Sequence, residues 1–283
     1  MYKRQGQTLQ IQAASGQTHT YEGTLREGTL DVSGAGTQVL RSSGADTGLT
    51  ISGGNLVLQG KADVDGARLS YGNLVNSGNL TIQASDNSLT AVNITLSVEN
   101  ASFSSGSSTT FTLNTDADMT ASFIEASGDV VIEDGASFHV TSIPDVNITW
   151  KSGNPMELTL MELTGDGTID LGENTLTVGG LFLTYYKNAH LVQEGDKVVL
   201  KAEEQTDNVY ASVADTANSM AGANLLWDAA RHGSIDQAVT DFLGALNNDM
   251  LNNPSAARRS LAAAAGSTVN ALGTAQRDAL RDQ

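Results

Sequence analysis

Two stretches, Ser52–Gly60 (SGGNLVLQG) and Asn76–Ala84 (NSGNLTIQA), align with Gly54 on Gly78, Asn55 on Asn79, Leu56 on Leu80 and Gln59 on Gln83, an offset of 24 residues. The same shape, glycine followed by aliphatic residues at alternate positions, recurs at Gly28–Val32 (GTLDV) and Gly128–Ile132 (GDVVI). Anchors at 28, 54, 78 and 128 are spaced by 26, 24 and 50 residues, the last about two periods. A unit this short cannot bury an apolar face alone, so its copies must stack and share one core.

Between the anchors, GLTIS, ARLSY, NITLSV, TTFTL and SFHVT alternate apolar and polar residues, the period of a half-buried strand. Two or three strands per repeat with no helical run between them predict a mainly β chain, a right-handed parallel β-helix (β-solenoid) over residues 6–204. An antiparallel sandwich or meander is the alternative, but Asp-Gly turns stand only at Asp65–Gly66, Asp134–Gly135 and Asp166–Gly167, few for so many hairpins. With Gly 29, Pro 3 and aromatics at 5 %, the composition suits short strands joined by tight corners. Asn55, Asn73, Asn79 and Asn93 read first as turn residues, and second as stacked amide ladders inside those corners.

From Thr168 the alternation continues with larger apolar residues in GTIDLGENTLTVGGLFLTYY and AHLVQEGDKVVLKAEE, both read as strands. Leu181, Phe182, Leu183, Tyr185 and Tyr186 form the densest bulky cluster, expected to be a structural cap, within about 150–204, over an end that would otherwise expose edge and core.

Near residue 205 the β pattern stops. Val213, Ala217, Met220, Ala221, Leu225 and Trp227 fall at helical spacing before Gly233. A second helix is predicted from Ser234, capped by that serine with Gln237 answering it, with Ile235, Val239, Phe242, Leu243 and Leu246 on one face. Asn253 and Pro254 open a third that ends at Gly266, and a fourth from Ser267 carries Leu272 and Leu280 on a thin apolar stripe. Residues 205–283 are thus expected to be an α-helical C-terminal segment.

The 15 cations stand against 32 anions, a net charge of -17 and a pI near 4.4, which repels phosphate backbones and anionic headgroups and argues against nucleic-acid partners. Cysteine is absent, which removes disulfides and thiolate sites. Asp63/Asp65 and Asp116/Asp118 put two carboxylates on one strand face, a spacing suited to a cation or a glycosidase pair, although a solvated turn is the simpler reading. His19, His139, His190 and His232 lack the spacing of a zinc site, and no phosphate loop or nucleophile elbow is present. No catalytic, cofactor or metal site is predicted.

The pairing of this Gly/Ser/Asn/Thr-rich β region with SMAGANLLWDAARHGSIDQAV at 219–239 and LAAAAGSTVNALGTAQRDALRDQ at 261–283 resembles the passenger and helical linker of autotransporters, the type V secretion proteins of Gram-negative bacteria. The resemblance implies a cell-surface or outer-membrane location, no catalysis, and a role in surface display and passenger folding. It also implies two partners: the protein's own outer-membrane β-barrel, whose membrane strands are missing from these 283 residues, and the outer-membrane assembly machinery. Any host or glycan ligand is left open. A helix of about 20 residues spans about 30 Å, enough to approach or enter a barrel lumen. A helical bundle packed beside the solenoid, a carbohydrate-active β-helix enzyme and an adhesive scaffold exported by another route are the alternatives. The opening MYKRQ resembles the translated tail of a sequencing adapter, so Met1–Gln5 are expected to be an artefact and the native chain to extend upstream.

Overall fold

The computed structural model describes residues 7–23, 25–41, 44, 46–59, 68–83, 94–113, 122–142, 156–232 and 236–266. The chain divides into two compact units: Met1–Ser142 with Asn147–Val178 and Asn188–Glu203, and Ile143–Val146 with Gly179–Lys187 and Glu204–Gln283.

In the first unit, β1 (Thr8–Gln12), β2 (Thr18–Tyr21), β3 (Gly28–Ser33), β4 (Thr37–Leu40), β5 (Thr47–Ile51) and β6 (Asn55–Gln59) make three repeats of two strands. Four repeats of three follow: β7 (Arg68–Ser70), β8 (Leu74–Asn76) and β9 (Asn79–Gln83); β10 (Thr95–Val98), β11 (Ala101–Phe103) and β12 (Ser108–Leu113); β13 (Ile124–Ala126), β14 (Val130–Ile132) and β15 (Ser137–Ser142); β16 (Met156–Leu163), β17 (Ile169–Leu171) and β18 (Thr175–Val178). Each repeat adds one strand to sheet A (β1-β3-β5-β8-β11-β14-β17) and one to sheet B (β2-β4-β6-β9-β12-β15-β18). From β7 onward each also adds one to sheet C, which runs β7-β10-β13-β16 and is completed by β20 (Lys197–Glu204) and β19 (Tyr186–Glu194).

Strand pairing in sheets A and B is parallel throughout the described residues, as it is along β7-β10-β13-β16 of sheet C, where β16 then pairs antiparallel with β20. The antiparallel sandwich or meander is therefore excluded for this unit. The repeat read in the sequence is a true register, since Asn55, Leu56 and Gln59 lie opposite Asn79, Leu80 and Gln83. The uniform period is not. Gly28 opens a sheet A strand and Gly128 precedes another, whereas Gly54 and Gly78 precede sheet B strands, so the four anchors mix two corners. Partner residues in sheet A, such as Thr29 with Gly48 and Val130 with Ile169, show repeats ranging from 19 to 39 residues.

The core follows from the registers. Leu30, Leu49, Leu74, Ala101 and Val130 occupy the same position of consecutive sheet A strands, and none is more than 1 % exposed. Phe103, Phe111, Phe123 and Phe138 add an aromatic cluster with ring centroids 5.2 to 6.3 Å apart in edge and stacked arrangements. Asn76, a polar residue inside the core, is satisfied: its Nδ2 donates to Ser108 O at 3.1 Å and Thr109 Oγ1 at 3.0 Å, and its Oδ1 accepts from Gly78 N at 3.0 Å. Gly34, at φ +95, turns the chain from sheet A to sheet B where a side chain would also meet the Ala13 carbonyl.

The asparagines do more than turn the chain. Asn79 Nδ2 donates to Asn55 Oδ1 at 2.8 Å, and Asn55 Nδ2 to Gly36 O at 3.0 Å. At the second corner Asn100 Nδ2 donates to Asn73 Oδ1 at 2.7 Å and Asn100 Oδ1 accepts from Asp129 N at 2.8 Å. Asp129 Oδ1 then accepts from Thr168 N, which holds its carboxyl below the usual range. The amide ladder is thus correct for these positions, while Asn93 lies outside the described residues. Asn100→Ala removes two rungs and is expected to cost about 1 kcal/mol, read as a lower urea midpoint at unchanged slope; an unshifted midpoint would show the ladder to be energetically idle.

The second unit is helical. It contains α1 (Phe182–Tyr185), a 3₁₀ turn at Val209–Val213, α2 (Ala217–His232), α3 (Gln237–Asn252) and a helical stretch over 254–266. Thr216 and Ser219 cap α2 reciprocally, with Ser219 N donating to Thr216 Oγ1 at 3.1 Å and Thr216 N to Ser219 Oγ at 2.9 Å. The cap of α3 is Asp236, whose Oδ1 accepts from Val239 N at 2.9 Å, and Gln237 Nε2 donates to Asp241 Oδ1 at 2.7 Å. Ser234 and Ile235 lie outside the described residues. Asn253 caps the next stretch as expected, accepting from Ala256 N at 3.2 Å.

Candidate functional site

The bulky cluster predicted as a cap falls in the second unit. Leu181, Phe182, Tyr185 and Tyr186 are buried and Leu183 is half-buried. Their expected alternating strand is instead one helical turn, because a segment buried on nearly every side has no solvent face to impose a period of two. The Phe182 and Tyr186 rings lie 5.0 Å apart.

Around this turn runs a buried polar network absent from the sequence reading. Thr184 Oγ1 and Tyr210 Oη are 2.8 Å apart, and Asn247 Nδ2 donates to Thr184 Oγ1 at 2.9 Å and to Gly180 O at 2.7 Å. Thr184, Tyr210 and Asn247 are all 0 % exposed. The one signal for it in the sequence is Asn247 itself, an amide one position beyond Leu246 on the stripe that α3 buries. Tyr185 Oη donates to Ala230 O at 3.2 Å. Burial pushes the Tyr185 phenol up to about 12, offset in part by Arg231, and burial raises Tyr210 as well. Both phenols therefore remain protonated at neutral pH and serve as hydrogen-bonding anchors. Arg231 pairs with Glu204 and lies 5.2 Å from the centroid of the Trp227 ring.

The predicted linker residues separate. Trp227 and Phe242 are half-buried, whereas Met220 and Leu225 are 38 % and 56 % exposed, so the face expected to pack does not. The buried face of α2 consists of small residues, Ser219, Ala223 and Ala230, and close approach explains it: a Cβ on Gly222 would lie 2.9 Å from Ala265 Cβ. Ala257, Leu261 and Ala265 form the buried stripe of 254–266. Leu272 and Leu280 lie outside the described residues.

No family model, curated protein or solved structure matches this chain. The chemistry-bearing candidates give little more. Asp63/Asp65 and Asp116/Asp118 lie outside the described residues, as does the side chain of His232. His139 and His190 sit on different strands, with His139 Nδ1 2.7 Å from Thr177 Oγ1 and its imidazole pKa lowered by burial. Among the described residues no group of three His, Asp or Glu is placed to hold a metal, and no helix is long and apolar enough to cross a membrane.

Charge is distributed unevenly over the first unit. Sheet C carries Arg68, paired with Glu125, and Lys201 between Glu157 at 3.1 Å and Glu194 at 2.5 Å, with Lys197 3.1 Å from Glu162. Sheet A strands carry Asp31 and Asp170. Sheet B strands carry no Asp, Glu, Lys or Arg at all.

Proposed function

We propose that this chain is the stem and linker of an autotransporter passenger, a right-handed parallel β-helix followed by helices that lead toward an outer-membrane β-barrel, and that it serves surface display and passenger folding. One observation carries the reading: repeat after repeat adds an in-register strand to the same parallel sheets, and a helical segment follows them. Such a repeat array suits export because each added repeat is stabilised by the one already formed, so folding can advance outward from a nucleus. In this reading the helices and the Leu181–Tyr186 turn supply that nucleus and the connection to the barrel.

Placing residues 6–283 between a secretory signal peptide and an autotransporter barrel in a Gram-negative host tests the proposal. The expected result is a chain on intact cells that added protease degrades. A chain retained inside the cell envelope, while a known passenger on the same barrel is displayed, would refute the reading.

A further inference from the structure

We propose that the outward face of sheet B is a binding surface for a neutral polysaccharide. The face is built in register across seven strands. Thr81, Thr110 and His139 occupy one outward row, and Ser108 and Ser137 stand beside Asn79 in another. Strands about 4.8 Å apart, with alternate residues about 6.8 Å apart along each, set these hydroxyl and amide groups at regular spacings, with Val57 and Val39 continuing the Thr81 row on β6 and β4. Several are held in place by bonds from strand to strand, including Asn79 to Asn55 at 2.8 Å and His139 to Thr177 at 2.7 Å.

Absence of ionised groups selects the ligand class. Charged residues make up 17 % of the chain, yet the 4-, 5- and 6-residue strands of sheet B contain none, while sheet C in the same unit is laced with ion pairs. Just past the ends of β4 and β2, Arg41 and Glu22 pair with each other at 3.2 Å, and Arg41 Nε also donates to Gln59 Oε1 on β6 at 2.8 Å. With Arg41 engaged by Glu22 and Gln59, strands that carry no cation of their own offer little to hold a nucleic acid or an acidic glycan. With no Phe, Tyr or Trp among its outward residues, it lacks the anchors that dominate protein interfaces, and it offers no apolar patch for lipid. An ice lattice would want uniform hydroxyl rows, which Asn55, Asn79 and Gln83 interrupt. A hydroxyl-rich, uncharged, periodic polymer remains: its sugars can trade hydrogen bonds with Ser, Thr, Asn and Gln without stripping water from a charge. Each contact is weak, and affinity comes from many in a row.

The inference is independent of export and is tested on the purified chain. Co-sedimentation with suspensions of cellulose, chitin, mannan and β-1,3-glucan is expected to deplete the protein on at least one, undiminished in 1 M salt, with no retention on alginate or heparin beads. Thr81→Asp combined with Thr110→Asp, both on outward positions, is expected to weaken retention at least tenfold with the circular-dichroism spectrum unchanged. Ser102→Asp, on the outward face of sheet A, is expected to leave retention as it was. The proposal is overturned by no retention on any of the four neutral polymers, by equal loss from the Ser102→Asp control, or by retention that salt abolishes. A self-associating chain that the double variant renders monomeric, with no polysaccharide bound, would assign the face to a second copy and also overturn it.

Discussion

Phe111→Ala is expected to destabilise the β unit by about 3–5 kcal/mol. Phe111 is 0 % exposed, lies edge-on to Phe123 at 5.2 Å and stacks on Phe138 at 6.3 Å. Its truncation removes a large apolar group, leaves a void that flanking strands cannot close without breaking their ladders, and forfeits two ring contacts worth about 0.5–1.5 kcal/mol each. In a repeat array the damage falls on neighbouring repeats. Urea unfolding followed by far-UV circular dichroism measures it. Val131→Ala, at a site 38 % exposed on sheet A, is the control and should cost less than about 0.5 kcal/mol. Equal midpoints for the two variants would show that the aromatic cluster is not the core.

Tyr210→Ala should have a comparable effect on the helical unit, about 3–5 kcal/mol, because the ring is fully buried and its centroid lies 6.5 Å from Trp227. Tyr210→Phe separates packing from hydrogen bonding. It keeps the ring and removes the partner of Thr184 Oγ1, which retains Asn247 Nδ2, so about 1 kcal/mol is expected. Trp227 fluorescence during urea unfolding reports both, in a Trp150→Phe background that leaves one indole. A Tyr210→Phe loss as large as that of Tyr210→Ala would mean that the hydroxyl, rather than the ring, organises the unit.

The parallel architecture was legible because its signal is a register: Asn55 and Asn79 align in the sequence as they do in sheet B. What escaped was anything that requires knowing which sheet a short strand joins. Gly28 and Gly54 look alike locally yet open strands of different sheets, and the uncharged face of sheet B is invisible until its strands, scattered along the chain, are brought together. The amide ladders are hidden in the sequence for the same reason, since Asn100 meets Asn73 only across repeats.

The helices failed differently. Apolar periodicity selected Met220 and Leu225 as the packed face of α2, but that helix buries Ser219 and Ala223, because contacts at the distance Gly222 permits are made by small side chains. In α3 the capping pattern pointed to Ser234, while the oxygen that meets Val239 N belongs to Asp236. Thr184, Tyr210 and Asn247 are 26 and 37 residues apart in sequence, and their union is a product of folding.

Repeat length has its own consequence. The step from sheet B to the next sheet C strand runs from Asn55 to Leu69 in one repeat and from Ser137 to Met161 in another, whereas the step from sheet C to sheet A stays close to that from Leu69 to Leu74. Variation is largest at that one corner, since the step from sheet C to sheet A lengthens only to that from Met161 to Ile169. The scaffold therefore behaves as a rack with a single row of docking bays: sequence can be lengthened, shortened or exchanged in any bay while the ladders on either side keep count.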